Sequence, residues 1–209
     1  MALADRTAGR VAVVAGSYVA GSLPWSQLGA RRRGVDLRRF GSGTVSGTAL
    51  YRVAGFAPLA VAGSLDVAKG AVGPLIATPR RPGLAAAAAS AAVAGHNWSP
   101  FLGFAGGRGV APALGGLLAG APAGAGVLLG GLVAGRLRKQ TGLGCFVAYV
   151  ALIPAVLRNH GRSAALLAAA VVAPLLAKRL LGNRPPEAWD RRTVVSRMIF
   201  DRDPGESSE

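Results

Sequence analysis

Six stretches of this chain are almost free of charge, and they decide what it can fold into. Val11 to Ala30, Pro82 to Gly107, Gly109 to Gly135, Gln140 to Leu157 and Ser163 to Ala177 hold no Asp, Glu, Lys or Arg; Val53 to Pro79 holds only Asp66 and Lys69. A helix needs about 20 apolar residues, within about 17–25, to cross the hydrocarbon of a bilayer. The runs therefore predict an all-α, polytopic integral membrane protein. A soluble domain of 209 residues would need far more than 16% charged residues to cover its surface. The first run is followed at once by Arg31, Arg32 and Arg33, without an A-x-A cleavage site, so it reads as an uncleaved span rather than a signal peptide.

The net charge of +15 would by itself suit a nucleic-acid partner. Its distribution speaks against one: the arginines form short clusters between uncharged runs, with little aromatic surface to stack on bases. Membrane topology explains that spacing, because cytoplasmic loops collect Lys and Arg. Gly109 to Gly135 is long enough for one helix or for two broken around Gly120, Ala121 and Pro122. With seven spans near 11–29, 55–77, 84–95, 110–121, 123–135, 143–157 and 163–177, one side of the membrane carries 17 basic residues and the other 6. A single span across Gly109 to Gly135 would put the basic tail on the poorer side. The charge pattern thus predicts about seven transmembrane helices, the N-terminus outside, and cytoplasmic glycine-rich loops. It divides the chain into one membrane domain, 1–182, and a charged cytoplasmic tail, 183–209, either an amphipathic segment or a disordered end. Gly116, Gly120 and Gly124, Gly126 with Gly130, and Gly131 with Gly135 recur at four-residue spacing. Such spacing either lets helices approach closely in lipid or follows from a Gly-rich composition.

Cys145 is the lone cysteine and lies in an apolar run, so no intrachain disulfide or cysteine metal cluster is expected. His96 and His160 are too far apart in sequence to suggest a metal site. Chemistry is concentrated in three places. Between Gly41 and Thr48, three glycines and four hydroxyl residues make a loop whose backbone N–H groups can cradle an anion, and Arg52 follows with a fork that matches phosphate oxygens. An ordinary polar connection has the same composition. Asp66 and Lys69 share a helix face inside the second span, where ionisable groups are costly and point to function or to a self-neutralising pair. Gly106-Gly107-Arg108-Gly109 offers bare backbone and one cation where an apolar helix begins. His96, just before, can donate to a phosphate or cap a helix.

At these residues the chain resembles the bacterial membrane acyl-phosphate:glycerol-3-phosphate acyltransferases. The resemblance lies in Gly21-Ser22-Leu23-Pro24, Gly41-Ser42-Gly43 with Thr48 and Arg52, Asp66-Val67-Ala68-Lys69-Gly70, and Gly95-His96 with Phe104, Gly106, Gly107 and Gly109. It implies a seven-helix fold in the plasma membrane with a cytoplasm-facing site. There an acyl group would pass from acyl phosphate to the first hydroxyl of glycerol 3-phosphate, giving lysophosphatidate for phospholipid synthesis without metal, cofactor or acyl-carrier protein. Arg52, Lys69 and Arg108 would be the catalytic cations, and Ser42, Gly43, Thr48, Asp66, His96, Gly106, Gly107 and Gly109 would bind substrate. The chain departs from the family pattern at several points. Thr44 and Ala49 stand at two asparagine positions of the first motif, Ser46 at a glycine, and Arg108 at the lysine of G-G-K-G. In the last motif, aligning on Arg179 and Leu180 puts Ala173 and Leu176 where His and Asn are usual, with Gly182 nearby and Glu187 late. Two rival readings remain open from sequence: a non-catalytic paralogue that binds a lipid or phosphate, and a small transporter, for which no internal repeat speaks.

Overall fold

The structure, a computed structural model, describes residues 2–40, 43–77 and 81–205. Ser42, one of the expected substrate contacts, lies outside the described residues. Nine helices follow one another among those described: α1 (Ala2–Ser22), α2 (Trp25–Arg31), α3 (Gly47–Ala54), α4 (Phe56–Ala77), α5 (Pro82–Asn97), α6 (Val110–Gly120), α7 (Pro122–Leu137), α8 (Thr141–Leu181) and α9 (Arg191–Phe200). Short 3-10 turns at Leu37–Arg39 and Pro100–Leu102 sit in the connections.

Proline sets several of these boundaries. The run expected to span 11–29 ends instead at Ser22, because Pro24 lacks an N–H to continue the helix and restricts the residue before it. Ala121, with φ −158° and ψ 64°, and Pro122 divide the long apolar stretch into α6 and α7, so two helices stand where the sequence allowed one or two. A straight helix of the 41 residues of α8 would be about 60 Å long at 1.5 Å per residue, twice the thickness of a hydrocarbon core. The helical geometry of α8 breaks at Gly161, where φ is 79° and ψ −174°, a conformation open to glycine. Arg179 near its end donates to the carbonyl of Gly142 near its start, so the two halves of α8 fold back on each other.

By length and composition α4 and α8 are able to cross a membrane, and α6 and α7 are shorter apolar helices. The main core lies among α5, α6, α7 and α8, around Val93, Leu117, Leu128, Leu152, Val156, Val171 and Leu175. A smaller cluster of Ala30, Leu37, Val45, Leu50, Ala62 and Leu102 ties the first connection to α4. α5 is the hub and packs on α1, α4, α6 and α8. Glycines allow close approach both between α4 and α6 and between α5 and α1. A Cβ on Gly70 would overlap the Pro112 carbonyl of α6, and one on Gly95 would overlap the Tyr18 carbonyl of α1. The four-residue glycine pattern divides: Gly131 and Gly135 lie against Gly144 of α8, whereas Gly126 and Gly130 meet open space.

Within the tail, Arg191–Phe200 form α9. Asp190 caps it by accepting from Thr193 N at 2.7 Å, and it packs on α8. His160 has a structural role, accepting from Ala123 N at 3.2 Å in the first turn of α7.

Candidate active site

Breaking α1 at Pro24 leaves carbonyls without helical partners, and the site is built around them. Irregular backbone inside an apolar protein is tolerated where it lines a polar cavity. Lys69 of α4 donates to Leu23 O at 2.8 Å, and Ser99 Oγ donates to Ser22 O at 2.7 Å. One turn before Lys69, Asp66 Oδ1 lies 2.7 Å from the ammonium, and both side chains are only about one-twentieth exposed. From α5, His96 Nδ1 stands 3.6 Å from the same oxygen. Neither is a well-angled hydrogen bond, since Asp66 Oδ1 has no hydrogen-bond partner among the described residues; Lys69 and Asp66 are held as an ion pair. The imidazole's other nitrogen faces the glycine loop, where a Cβ on Gly107 would strike His96 Nε2 and the Val45 carbonyl. Asp66, Lys69, His96, Ser99 and Gly107 therefore line one pocket, closed on the far side by residues 21–26. It holds only about 10 Å³, roughly one water molecule. A larger ligand has to displace the Lys69 contact with Leu23 or part the loops.

Beside the pocket the glycine loop is clamped to the end of α8. Gly106 N donates to Asn183 Oδ1 at 3.2 Å, and Asn183 Nδ2 donates to Gly106 O at 2.9 Å and to Gly43 O at 3.3 Å. Lys178 Nζ donates to Asn183 Oδ1 at 2.5 Å and lies over the Trp98 ring, fully buried. Arg108 does not line the pocket but stands in the adjacent glycine loop: Nη1 donates to Lys178 O at 3.3 Å, and Nε lies 3.1 Å from Asp201 Oδ2 in the tail. Burial raises the Asp201 carboxyl above its ordinary value, against the pull of Arg108 and Arg179. Gly109, at φ 73°, ends the loop and starts α6.

The first connection is organised by Asp36. It caps the turn Leu37–Arg39 and takes the Arg38 fork at 2.7–3.2 Å, and that guanidinium holds its carboxyl well below the usual range.

A family model for glycerol-3-phosphate acyltransferase matches residues 11–183. The chain belongs to this family. A glycerol-3-phosphate acyltransferase of Halalkalibacterium halodurans is 34% identical over 197 residues, which is 90% of each chain. One from Thermus thermophilus is 44% identical over 106 residues, 49% of this chain and 52% of its own. Among solved structures, the glycerol 3-phosphate form of PlsY, an integral membrane glycerol 3-phosphate acyltransferase, superposes with a TM-score of 0.72 at 26% identity. That match covers 86% of this chain and 96% of PlsY.

Within the family frame, the structure brings Lys69, Asp66, His96 and Gly107 into one pocket, with Gly106 and Gly43 joined beside it through Asn183. Thr48 stands in the first turn of α3, half-buried, and Arg52 in its last turn, exposed; neither lines the pocket. Sequence reasoning missed the His96 partner, because Asp66 reaches it from another helix. It also missed Lys178 and Asn183. The signal available was a basic residue and an amide flanking Gly182, passed over because the family's His and Asn were sought at 173 and 176. Arg179, on which that motif was aligned, is a structural residue: it reaches Gly142 O and Met198 O and stacks over Tyr149.

Proposed function

We propose that this protein transfers the acyl group of an acyl phosphate to the first hydroxyl of glycerol 3-phosphate, giving lysophosphatidate and phosphate. The supporting observation is the buried Lys69 ammonium, backed by Asp66 and His96 and facing the bare backbone of Gly107 at the broken end of α1. Both substrates are anions, and charge moves onto the departing phosphate as the reaction proceeds. Donors fixed in a dry site stabilise such charge without reorganising.

In the reaction the hydroxyl oxygen of glycerol 3-phosphate attacks the acyl carbonyl carbon. The bond between that carbon and the phosphate oxygen breaks, phosphate departs with the electron pair, and it takes up the hydroxyl proton. The protein contributes positioning and neutralisation, which together remove a large part of a two-substrate barrier. Lys69 and Arg108 neutralise phosphate charge, with Arg52 at the exposed rim. The glycine backbone of Gly43, Gly106, Gly107 and Gly109, with Ser42 and Thr48, orients phosphate oxygens, while Asp66 holds Lys69 and His96 stands against Asp66. Helices α1, α4, α5, α6, α7 and the two halves of α8 make seven crossings of the plasma membrane. The site faces the cytoplasm, and residues 183–209 form a cytoplasmic tail on a single membrane domain. The basic asymmetry of the loops supports that orientation.

Purified protein in detergent, given acyl phosphate and glycerol 3-phosphate, is expected to form lysophosphatidate. No product with fresh acyl phosphate and folded protein would overturn the proposal.

A further inference from the structure

The C-terminal helix lies beyond the family match, which ends at residue 183, yet it is fastened to the glycine loop. The fastening is reciprocal. Arg197 of α9 donates to Leu180 O and Leu181 O at the end of α8, at 3.1 and 3.3 Å, and to Arg184 O at 3.2 Å. Arg179 of α8 donates to Met198 O and Ile199 O at the end of α9, at 2.5 and 3.3 Å. Each helix thus lends the other a cation for the carbonyls its last turn leaves unpaired. Both arginines are nearly fully buried, and Arg197 is also paired with Asp203. α9 is thus docked on α8 through buried cations.

The dock delivers one carboxylate. Asp201 ends α9 in the left-handed region, with φ 60°, and sits beside Gly142. Its Oδ2 is 3.1 Å from Arg108 Nε, while Arg108 Nη1 is held by Lys178 O. Two anchors on different nitrogens fix the plane of a guanidinium. They leave Nη2 without a partner among the described residues. A planar fork binds phosphate well only when it is correctly oriented.

We propose that Asp201 is a positioning residue: the docked tail orients the Arg108 guanidinium at the glycine loop so that its unanchored edge receives a substrate phosphate. The proposal rests on the acyltransferase reading above for its substrate, but only on phosphate binding for its test. It differs in sign from a blocking role, in which Asp201 would occupy Arg108 and compete with phosphate.

The test is a double-mutant cycle on the full chain: wild type, Asp201→Asn, Arg108→Lys and both together. Asparagine tolerates positive φ, so the helix cap survives and only the charge is removed. Steady-state turnover with both substrates is measured together with the rise in melting temperature caused by inorganic phosphate, which reads anion binding whether or not a variant turns over. In the Arg108 background, Asp201→Asn is expected to lower kcat/KM about tenfold, the size of one charged hydrogen bond, and to shrink the phosphate-induced rise. In the Arg108→Lys background it is expected to change either by less than about twofold, because coupled residues are not additive. Equal losses in both backgrounds would reduce Asp201 to a structural residue and overturn the proposal. So would unchanged or improved phosphate binding in Asp201→Asn, or a wild-type protein whose melting phosphate does not shift. Phosphate binding with the expected coupling but no acyl transfer in any variant would instead defeat the acyltransferase reading and leave the positioning role standing.

Discussion

Replacing Lys69 with methionine separates its two contributions, because methionine keeps most of the side-chain volume and removes the charge. The ammonium is buried, 2.7 Å from Asp66 Oδ1 and 2.8 Å from Leu23 O. As a donor to a reacting phosphate it is worth about 1.5–3 kcal/mol, one charged hydrogen bond. That corresponds to roughly a 10- to 150-fold loss of kcat/KM. As half of a buried pair its removal strands the Asp66 carboxylate, and such losses cost about 3–5 kcal/mol of stability. Lys69→Met should therefore lower both turnover and melting temperature. The double variant Asp66→Asn with Lys69→Met removes the stranded charge and should recover most of the melting temperature while turnover stays low. Turnover is followed as lysophosphatidate formed per minute in detergent, and stability by thermal melting of the same preparations. Near-normal turnover in Lys69→Met would refute the site. Recovery of turnover along with stability in the double variant would show that the pair serves only the fold.

Three further outcomes follow from the geometry. Arg52 is exposed, where charge contacts are worth at most about 1 kcal/mol, so if it serves the proposed site, Arg52→Ala should raise KM for the substrates several-fold with a smaller change in kcat; an unchanged KM removes Arg52 from the site. Gly70→Ala should cost about 1–3 kcal/mol of stability, read by melting, since its Cβ would overlap the Pro112 carbonyl and backbone yields little; wild-type melting would show the α4–α6 contact to be looser than described. A single cysteine at exposed Arg33, in a Cys145→Ala background, should react with an impermeant reagent only from the cytoplasmic side; labelling from outside would reverse the orientation and move the site with it.

How much of this was legible depended on how far apart the cooperating residues lie. The break at Ala121 and Pro122 is one of two readings of the apolar run, and the loop charges favour it; the structure has it there. The turn in α8 could be read directly, since Arg158 and Arg162 interrupt an apolar run around Gly161. Pro24 ends α1 at Ser22 inside an uncharged run, and absence of charge alone does not mark that boundary. The Asp66 and Lys69 pair was visible as one helix face. Its link to His96 was not, because α4 meets α5 only through tertiary packing, as where Gly73 lies against Ala88. The end of α8 was read through a motif it does not keep, which hid Lys178 and Asn183. The docking of α9 depends on two arginines that each serve the other helix, a pairing with no local signature.

The most direct test of the account is the stoichiometry of the reaction in purified protein. Lysophosphatidate and inorganic phosphate should appear in a one-to-one ratio, and omitting glycerol 3-phosphate should leave acyl phosphate intact. Phosphate released without lysophosphatidate, or lysophosphatidate formed without phosphate release, would contradict a direct transfer between two anions held in one site.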